Sequence, residues 1–154
     1  MNRNYTYSMK ILTFILIIYF SLGSKVFGSE LDTLFINLKN AQDPITAKGF
    51  ENQIWKFWIN DSPKENNRLK MKKGINLMRK GKLDEALKIF TTLSILDPGW
   101  AEPLNKMATI RYLQGDFYGS ARDIQFTLNL EPRHFVAISG LAQINLALGK
   151  YKDS

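Results

Sequence analysis

The sequence predicts an all-α protein, a short right-handed array of antiparallel helical hairpins preceded by a capping helical hairpin. Two observations predict this fold. The stretch GKLDEALKIFTTLSILDP at residues 81–98 has a counterpart, GDFYGSARDIQFTLNLEP, at residues 115–132, with the same order of small, apolar and turn residues. Within each copy, apolar residues recur at steps of three and four, which is the period of a helix that buries one face.

Each repeat contains the signals of two helices joined by a tight turn. The pattern predicts a first helix over residues 67–80 and a second over residues 84–97. Gly81 provides a permissive backbone at the turn between them. Pro98 ends the second helix, because proline cannot continue the helical hydrogen-bond ladder.

Small residues recur where the two helices of a unit are expected to cross. Gly74 and Ala86 take these positions in one unit, and Ala108 and Ser120 take them in the next. Because small side chains allow two helix backbones to approach closely, we expect tight helical pairs.

The repeat has a period of about 34 residues, and its small crossing residues, turn glycine and acidic residue before proline resemble the tetratricopeptide repeat. The resemblance covers residues 67–154. It implies a first unit at 67–100, a second at 101–134 and a partial third at 135–154, truncated after its first helix. The aromatic residue of the family's first helix is missing, and its column holds Lys70, Leu104 and Ile138.

Residues 29–66 lie outside the repeat register but carry helical patterns, and we expect them to form the capping hairpin. Asp43 and Pro44 have the character of a helix start. The aromatic stretch IWKFW at residues 54–58 is compatible with a ligand-binding box. We interpret it instead as core that seals the first repeat, because terminal units of a repeat array are usually atypical.

Residues 1–28 have the pattern of a secretory signal peptide. Arg3 and Lys10 precede a short apolar run, ILTFILIIYF, and Gly28 lies near a polar boundary. The run is shorter than the roughly 20 residues that span a bilayer, which favours a cleaved signal over a retained anchor. The layout resembles signal-peptide-bearing periplasmic tetratricopeptide proteins of alphaproteobacteria, which implies a periplasmic protein without enzymatic activity.

The residue inventory offers little catalytic or metal chemistry. The chain has no cysteine and a single histidine, His134, which excludes a thiolate zinc site and a cysteine nucleophile. The sequence neighbours of His134 provide neither a nucleophile nor an orienting acid, so we expect it to pack in a turn. We therefore expect no enzyme, no catalytic residue, no cofactor and no metal.

Basic residues are concentrated at residues 62–82 in a chain of net charge +7. No aromatic residues are interleaved to stack on bases, so we interpret this cluster as a solvated helix face and expect no nucleic-acid partner. Contact with a membrane is expected only transiently, through the signal peptide.

What remains is a surface for protein partners. The resemblance implies that the inner face of the array comes from the first helix of each unit, and that a protein or peptide segment docks in this concave groove. The groove residues so implied are Arg68, Met71, Ile75, Met78, Arg79, Glu102, Asn105, Thr109, Tyr112 and Leu113. Met71 and Tyr112 are the expected anchors. A clamp for a partner's terminal carboxylate is not expected, because Lys106 alone would match it in charge.

A second hypothesis is a structural or stabilising subunit of an envelope complex, bound through its terminal or outer faces. The last helix of the pattern, from Phe135, is apolar nearly all round. We expect a further part of a longer repeat protein, a partner or a second copy to cover it, the last of these by self-association through this helix.

Overall fold

The computed structural model describes residues 29–149, and this part of the chain is helical, without a strand. The all-α prediction is confirmed. The helices are α1 Glu30–Lys39, α2 Pro44–Asn60, α3 Glu65–Arg79, α4 Leu83–Leu96, α5 Ala101–Leu113, α6 Phe117–Leu130 and α7 Phe135–Ala147. Residues 1–28, where a signal peptide is predicted, and the final residues 150–154 lie outside the described residues.

The chain divides into two compact units, residues 1–54 and residues 55–154, and the division falls within α2. In the first unit, α1 begins with a capping box in which Ser29 and Asp32 exchange side-chain and backbone hydrogen bonds. The start of α2 is confirmed, because Asp43 Oδ1 accepts the backbone N–H groups of Ile45 and Thr46, each at 2.9 Å. The hydrogen bonds from Thr46 hold the pKa of Asp43 below its ordinary value.

In the second unit, the repeat pattern located the helix ends closely. Gly81 and Gly115 have φ angles of +72° and +82°, in the left-handed region that glycine adopts without strain. The helices before the two acidic-Pro pairs end at Leu96 and Leu130. The glycines therefore determine the turn within each repeat, and the acidic-Pro pairs determine where its second helix ends.

The first helical pair, α3 and α4, encloses a buried apolar cluster. A Cβ atom built on Gly74 would lie 2.6 Å from Cε1 of Phe90, so only glycine permits this approach of the two helices. The buried members of the cluster are Met71, Ala86, Phe90, Leu93, Trp100, Met107 and Ile110. Because it includes residues of α5, it joins the first repeat to the second.

The second pair, α5 and α6, crosses at the predicted small residues. Ser120 is 1% exposed, and its hydroxyl donates a hydrogen bond of 2.8 Å to the backbone oxygen of Ala108. Ala108 also belongs to the second apolar cluster, with Ile124, Ala137 and Ile144. This cluster attaches α7 to the α5–α6 pair.

Helix α7 also exposes apolar side chains. Ile138 and Leu146 are each 49% exposed, in agreement with the apolar character expected for this helix. No helix within residues 29–149 combines the length and apolar character needed to cross a bilayer.

The close approach of α3 and α4 at Gly74 can be tested by comparing a glycine-to-alanine substitution at Gly74 with the same substitution at Gly49. We expect Gly74→Ala to lower the free energy of unfolding by about 1–3 kcal/mol, because the added methyl group would overlap the Phe90 ring. Gly49→Ala in α2 is the matched control, since a Cβ there meets nothing within 4 Å. The control is expected to stabilise by up to about 1 kcal/mol. Urea unfolding measures both, and a stabilised Gly74→Ala would contradict the close crossing.

Candidate partner-binding site on the second repeat

The structure places the expected groove residues of the first repeat mostly in or against the core. Met71 is 0% exposed, so the expectation that it forms a surface anchor is wrong. Its side chain fills the junction of α3 with α4 and α5, in the cluster of Phe90 and Trp100. Ile75 and Met78 are partly buried against the same cluster.

The two arginines of the first repeat have different surroundings. Arg68 donates a hydrogen bond of 2.5 Å to the backbone oxygen of Ser62, whereas Arg79 is exposed at the end of α3. None of the expected first-repeat residues lines the pocket described next.

In the second repeat, three of the expected groove residues do converge. Asn105, Thr109 and Tyr112 lie on one side of α5 and line a pocket with a volume of about 80 Å³. The remaining lining residues come from α5, α6 and α7 and are Ala108, Ser120, Ile124, Val136, Ala137, Gly140 and Gln143. Leu113, also expected here, is 61% exposed and lies outside the pocket.

The pocket combines an apolar lining with polar groups in fixed positions. Ala108, Ile124 and Ala137 are buried members of the second apolar cluster. The Asn105 side chain donates to Oε2 of Glu102 at 3.1 Å, and the Thr109 hydroxyl donates to the backbone oxygen of Asn105 at 3.0 Å. Hydrogen bonds within the protein therefore hold these polar side chains of α5 in place.

Next to the pocket lies a buried ionic cluster centred on Glu102. This carboxylate is 1% exposed, with Oε1 at 2.7 Å from the Lys106 ammonium and Oε2 at 2.9 Å from Nε2 of His134. Glu102 was expected to lie on the groove surface, and the structure instead places it inside. A buried carboxylate needs such partners, because transfer from water costs several kcal/mol.

Burial also determines how Glu102 ionises. Desolvation by itself raises the pKa of the carboxyl group, but the hydrogen bond from His134 and the charge of Lys106 outweigh it. The pKa of Glu102 therefore lies below its ordinary value, and the group is a carboxylate at neutral pH.

His134 is the residue whose surroundings were least visible in the sequence. It was expected to pack in a turn, and it does, at 0% exposure and as the cap of α7. Its orienting acid, Glu102, lies one repeat earlier in the chain, and only the folded array brings the two side chains together. The backbone N–H of Ala137 donates to Nδ1 at 3.3 Å, so Nε2 carries the proton that Glu102 accepts. Both ring nitrogens of His134 are therefore engaged in contacts within the protein.

The end of α2 covers this cluster. The Trp58 ring stacks on His134 with centroids 3.9 Å apart, and it lies 4.9 Å from the Phe135 ring. The Trp100 indole donates to the backbone oxygen of Trp58 at 2.6 Å, and Lys106 lies 4.9 Å from the centre of the Trp55 ring. The aromatic stretch was interpreted as core that seals the first repeat. Trp58 contacts Trp100 of the first apolar cluster through its backbone oxygen, and its ring packs on the turn that precedes α7.

Comparison with known proteins agrees with the repeat pattern. The chain is 37% identical over 115 residues to a TPR repeat-containing protein from Rhizobium etli, and the match covers 75% of the chain. It covers 56% of that relative, so the chain corresponds to little more than half of its length. No protein-family model matches the chain.

The ionic cluster predicts a pH dependence of stability. We expect Glu102→Gln to lower the free energy of unfolding at neutral pH by about 1–3 kcal/mol, because it leaves Lys106 without its anionic partner. The folded-state pKa of Glu102 is below the ordinary value of 4.5, so its stabilising contribution is complete above that pH. As the pH falls through the folded-state pKa, the contribution is lost and the difference between wild type and variant shrinks.

Chemical denaturation at a series of pH values measures this difference. Glu85→Gln is the control, since Glu85 forms an exposed ion pair with Lys82 whose loss is expected to cost less than about 1 kcal/mol. A difference for Glu102→Gln that is independent of pH, or no larger than that of the control, would contradict the assignment.

Proposed function

The chain is a tetratricopeptide repeat protein, and on this premise we propose that it binds a segment of a partner protein in the pocket formed by α5, α6 and α7. The supporting observation is the convergence of Asn105, Thr109 and Tyr112, three inner-face residues of the second repeat, on one pocket with an apolar lining. Repeat proteins of this family generally act as protein-interaction modules, and this pocket is a part of the inner face that remains open.

The size of the pocket limits what can enter it. Its volume of about 80 Å³ is well below the roughly 150 Å³ of an apolar cavity that binds benzene, so it suits one aliphatic side chain rather than an aromatic ring. Burial of such a side chain contributes about 1.5–3 kcal/mol. The Gln143 side chain in the lining can then hydrogen-bond the backbone of the bound segment.

The charges around the pocket favour an uncharged segment. The Lys106 ammonium neutralises Glu102, and His134 donates a hydrogen bond to it, so this carboxylate does not attract a basic side chain. Lys106 is itself engaged and 8% exposed, which disfavours capture of a partner's terminal carboxylate. With both nitrogens of His134 occupied, a binding role without catalysis fits this site better than an enzymatic one.

An alternative role rests on the apolar side chains of α7 that lie outside the pocket. Ile138 and Leu146 are each half exposed, and such surfaces mark association sites when they form part of a larger patch. In this alternative the protein is a structural subunit of an envelope complex, or associates with a second copy, through α7. The two roles use different sides of the same helix and can be separated by experiment.

Export to the periplasm is a further part of the proposal. It rests on the basic start and the apolar run within residues 1–28. An exported interaction module would act as a scaffold for proteins of the cell envelope.

Site-specific photo-crosslinking tests the pocket against the alternative. A photoreactive phenylalanine analogue is placed at Gln143 beside the pocket, at Ile138 on α7, or at Tyr118, an exposed residue of α6 outside the pocket. We expect a partner to be labelled from Gln143 and not from Tyr118. Adding Tyr112→Ala to the Gln143 probe is expected to weaken binding by about 1–3 kcal/mol, because it removes one wall of the pocket.

The other outcomes identify the competing models. Labelling from Ile138 alone supports the structural-subunit role, and a crosslink between two copies from that position supports self-association. Equal labelling from Gln143 and Tyr118, unaffected by Tyr112→Ala, would contradict binding in the pocket.

Export is tested separately by sequencing the amino terminus of the protein purified from the cell envelope. We expect the mature chain to begin at Ser29, because Gly28 and Val26 provide the small-residue pattern of a cleavage site. A membrane-embedded product that retains Met1 would show instead that the apolar run is an anchor.

A further inference from the structure

The outer side of α3 carries a cationic face. With 3.6 residues per turn, Lys72, Lys73, Arg79 and Lys80 lie within about a third of the helix circumference, opposite the buried residues of the same helix. All four are exposed. We call these four residues the basic face.

The basic face forms no ion pair within residues 29–149. None of the four residues forms an ion pair with a described residue, whereas the neighbouring Lys82 is paired with Glu85 at 2.9 Å. Glu65, at the start of α3, is the one acidic residue of this helix and lies about two turns from Lys72. Asp84, after the turn, accepts a hydrogen bond from Gln114. The four positive charges are therefore available to an external anion.

The basic face also includes an exposed apolar side chain. Leu69 lies one turn before Lys72 and Lys73 on the same side of α3 and is 56% exposed. Folding of the α3–α4 pair does not account for this position, since Leu69 is not part of the apolar cluster that the pair encloses.

We propose that the basic face binds the surface of a bilayer that contains anionic phospholipids. Clusters of basic residues on a helix bind such surfaces through many weak contacts with the headgroups, and a leucine among them can enter the boundary between headgroups and acyl chains. This site is separate from the pocket of α5, α6 and α7 and does not depend on the proposed binding of a protein segment there.

The composition and position of the face favour a bilayer over other polyanions. Three of the four cations are lysines, which act as point charges and suit a diffuse anionic surface better than bidentate recognition. None of the four residues lines the pocket of α5, α6 and α7, whereas peptides are usually held in grooves or along strand edges. Helix α3 contains no aromatic residue on which a base could stack, and this disfavours binding of a single-stranded nucleic acid.

Vesicle co-sedimentation tests the proposal with the full chain. Vesicles of equal parts phosphatidylglycerol and phosphatidylcholine are compared with vesicles of phosphatidylcholine alone. The readout is the ratio of the two partition coefficients, because an apolar contribution from residues 1–28 is common to both vesicle types. Each basic residue near an anionic surface strengthens binding about fivefold, so Lys72→Gln with Lys73→Gln is expected to lower the ratio by about 25-fold.

The matched control removes the same charge elsewhere. Lys39 and Lys88 are exposed and form no ion pair with a described residue, and replacing both by Gln is expected to leave the ratio within about twofold of wild type. Raising the salt from about 0.1 M to about 0.5 M is expected to weaken binding of the wild type to anionic vesicles, since these exposed charges are screened.

Three outcomes would overturn the proposal. In the first, wild type has a ratio near one. In the second, the two double variants lower the ratio equally, which would show that net charge and not the basic face controls binding. In the third, soluble polyglutamate or single-stranded DNA binds the wild type through Lys72 and Lys73 while anionic vesicles do not.

Discussion

The buried carboxylate of Glu102 organises the second and third repeats. Three groups approach it: the Asn105 amide and the Lys106 ammonium from the same helix, and the His134 imidazole from the start of α7. An isolated carboxylate at this depth would be strongly destabilising, and these partners offset the cost of burying the charge. The hydrogen bond between His134 and Glu102 thus holds the start of α7 against α5.

The same interaction connects the end of α2, at Trp58, to the repeats of the second unit. His134 is held in place by its two hydrogen bonds, to Glu102 and from Ala137, and its ring then offers one face for the Trp58 ring. Trp58 in turn receives the indole hydrogen bond of Trp100, a member of the first apolar cluster. A continuous set of contacts therefore runs from the core of the first repeat to the cap of α7.

The open pocket begins where this network ends. Asn105 belongs to both, because its side-chain amide donates a hydrogen bond to Glu102 and the same residue lines the pocket. A binding site whose polar groups are already fixed loses less entropy when a ligand arrives. The network and the pocket lie side by side on α5, so the stability of one supports the geometry of the other. The basic face of α3 differs in its physics, since its exposed charges act over a longer range and are sensitive to salt.

The sequence by itself determined the local architecture of the repeats. The regular period, the turn glycines, the prolines and the small residues at Gly74, Ala108 and Ser120 predicted helices and crossings that the structure confirms. These features depend on backbone conformation and on neighbours within one hairpin, so a short stretch of sequence is enough to predict them. The convergence of Asn105, Thr109 and Tyr112 was also predictable, because one face of one helix presents them.

Only the tertiary structure decided which inner-face positions remain exposed. Met71 and Glu102 occupy columns that resemblance to the family assigns to the surface, yet one fills the apolar core and the other forms a buried ion pair. The sequence around His134 shows no orienting acid, because that partner is one repeat away along the chain. Burial and ionisation depend on groups that are distant in the chain and close in space. A helical pattern predicts which side of a helix a residue occupies. It does not predict whether a distant segment, such as the end of α2, covers that residue.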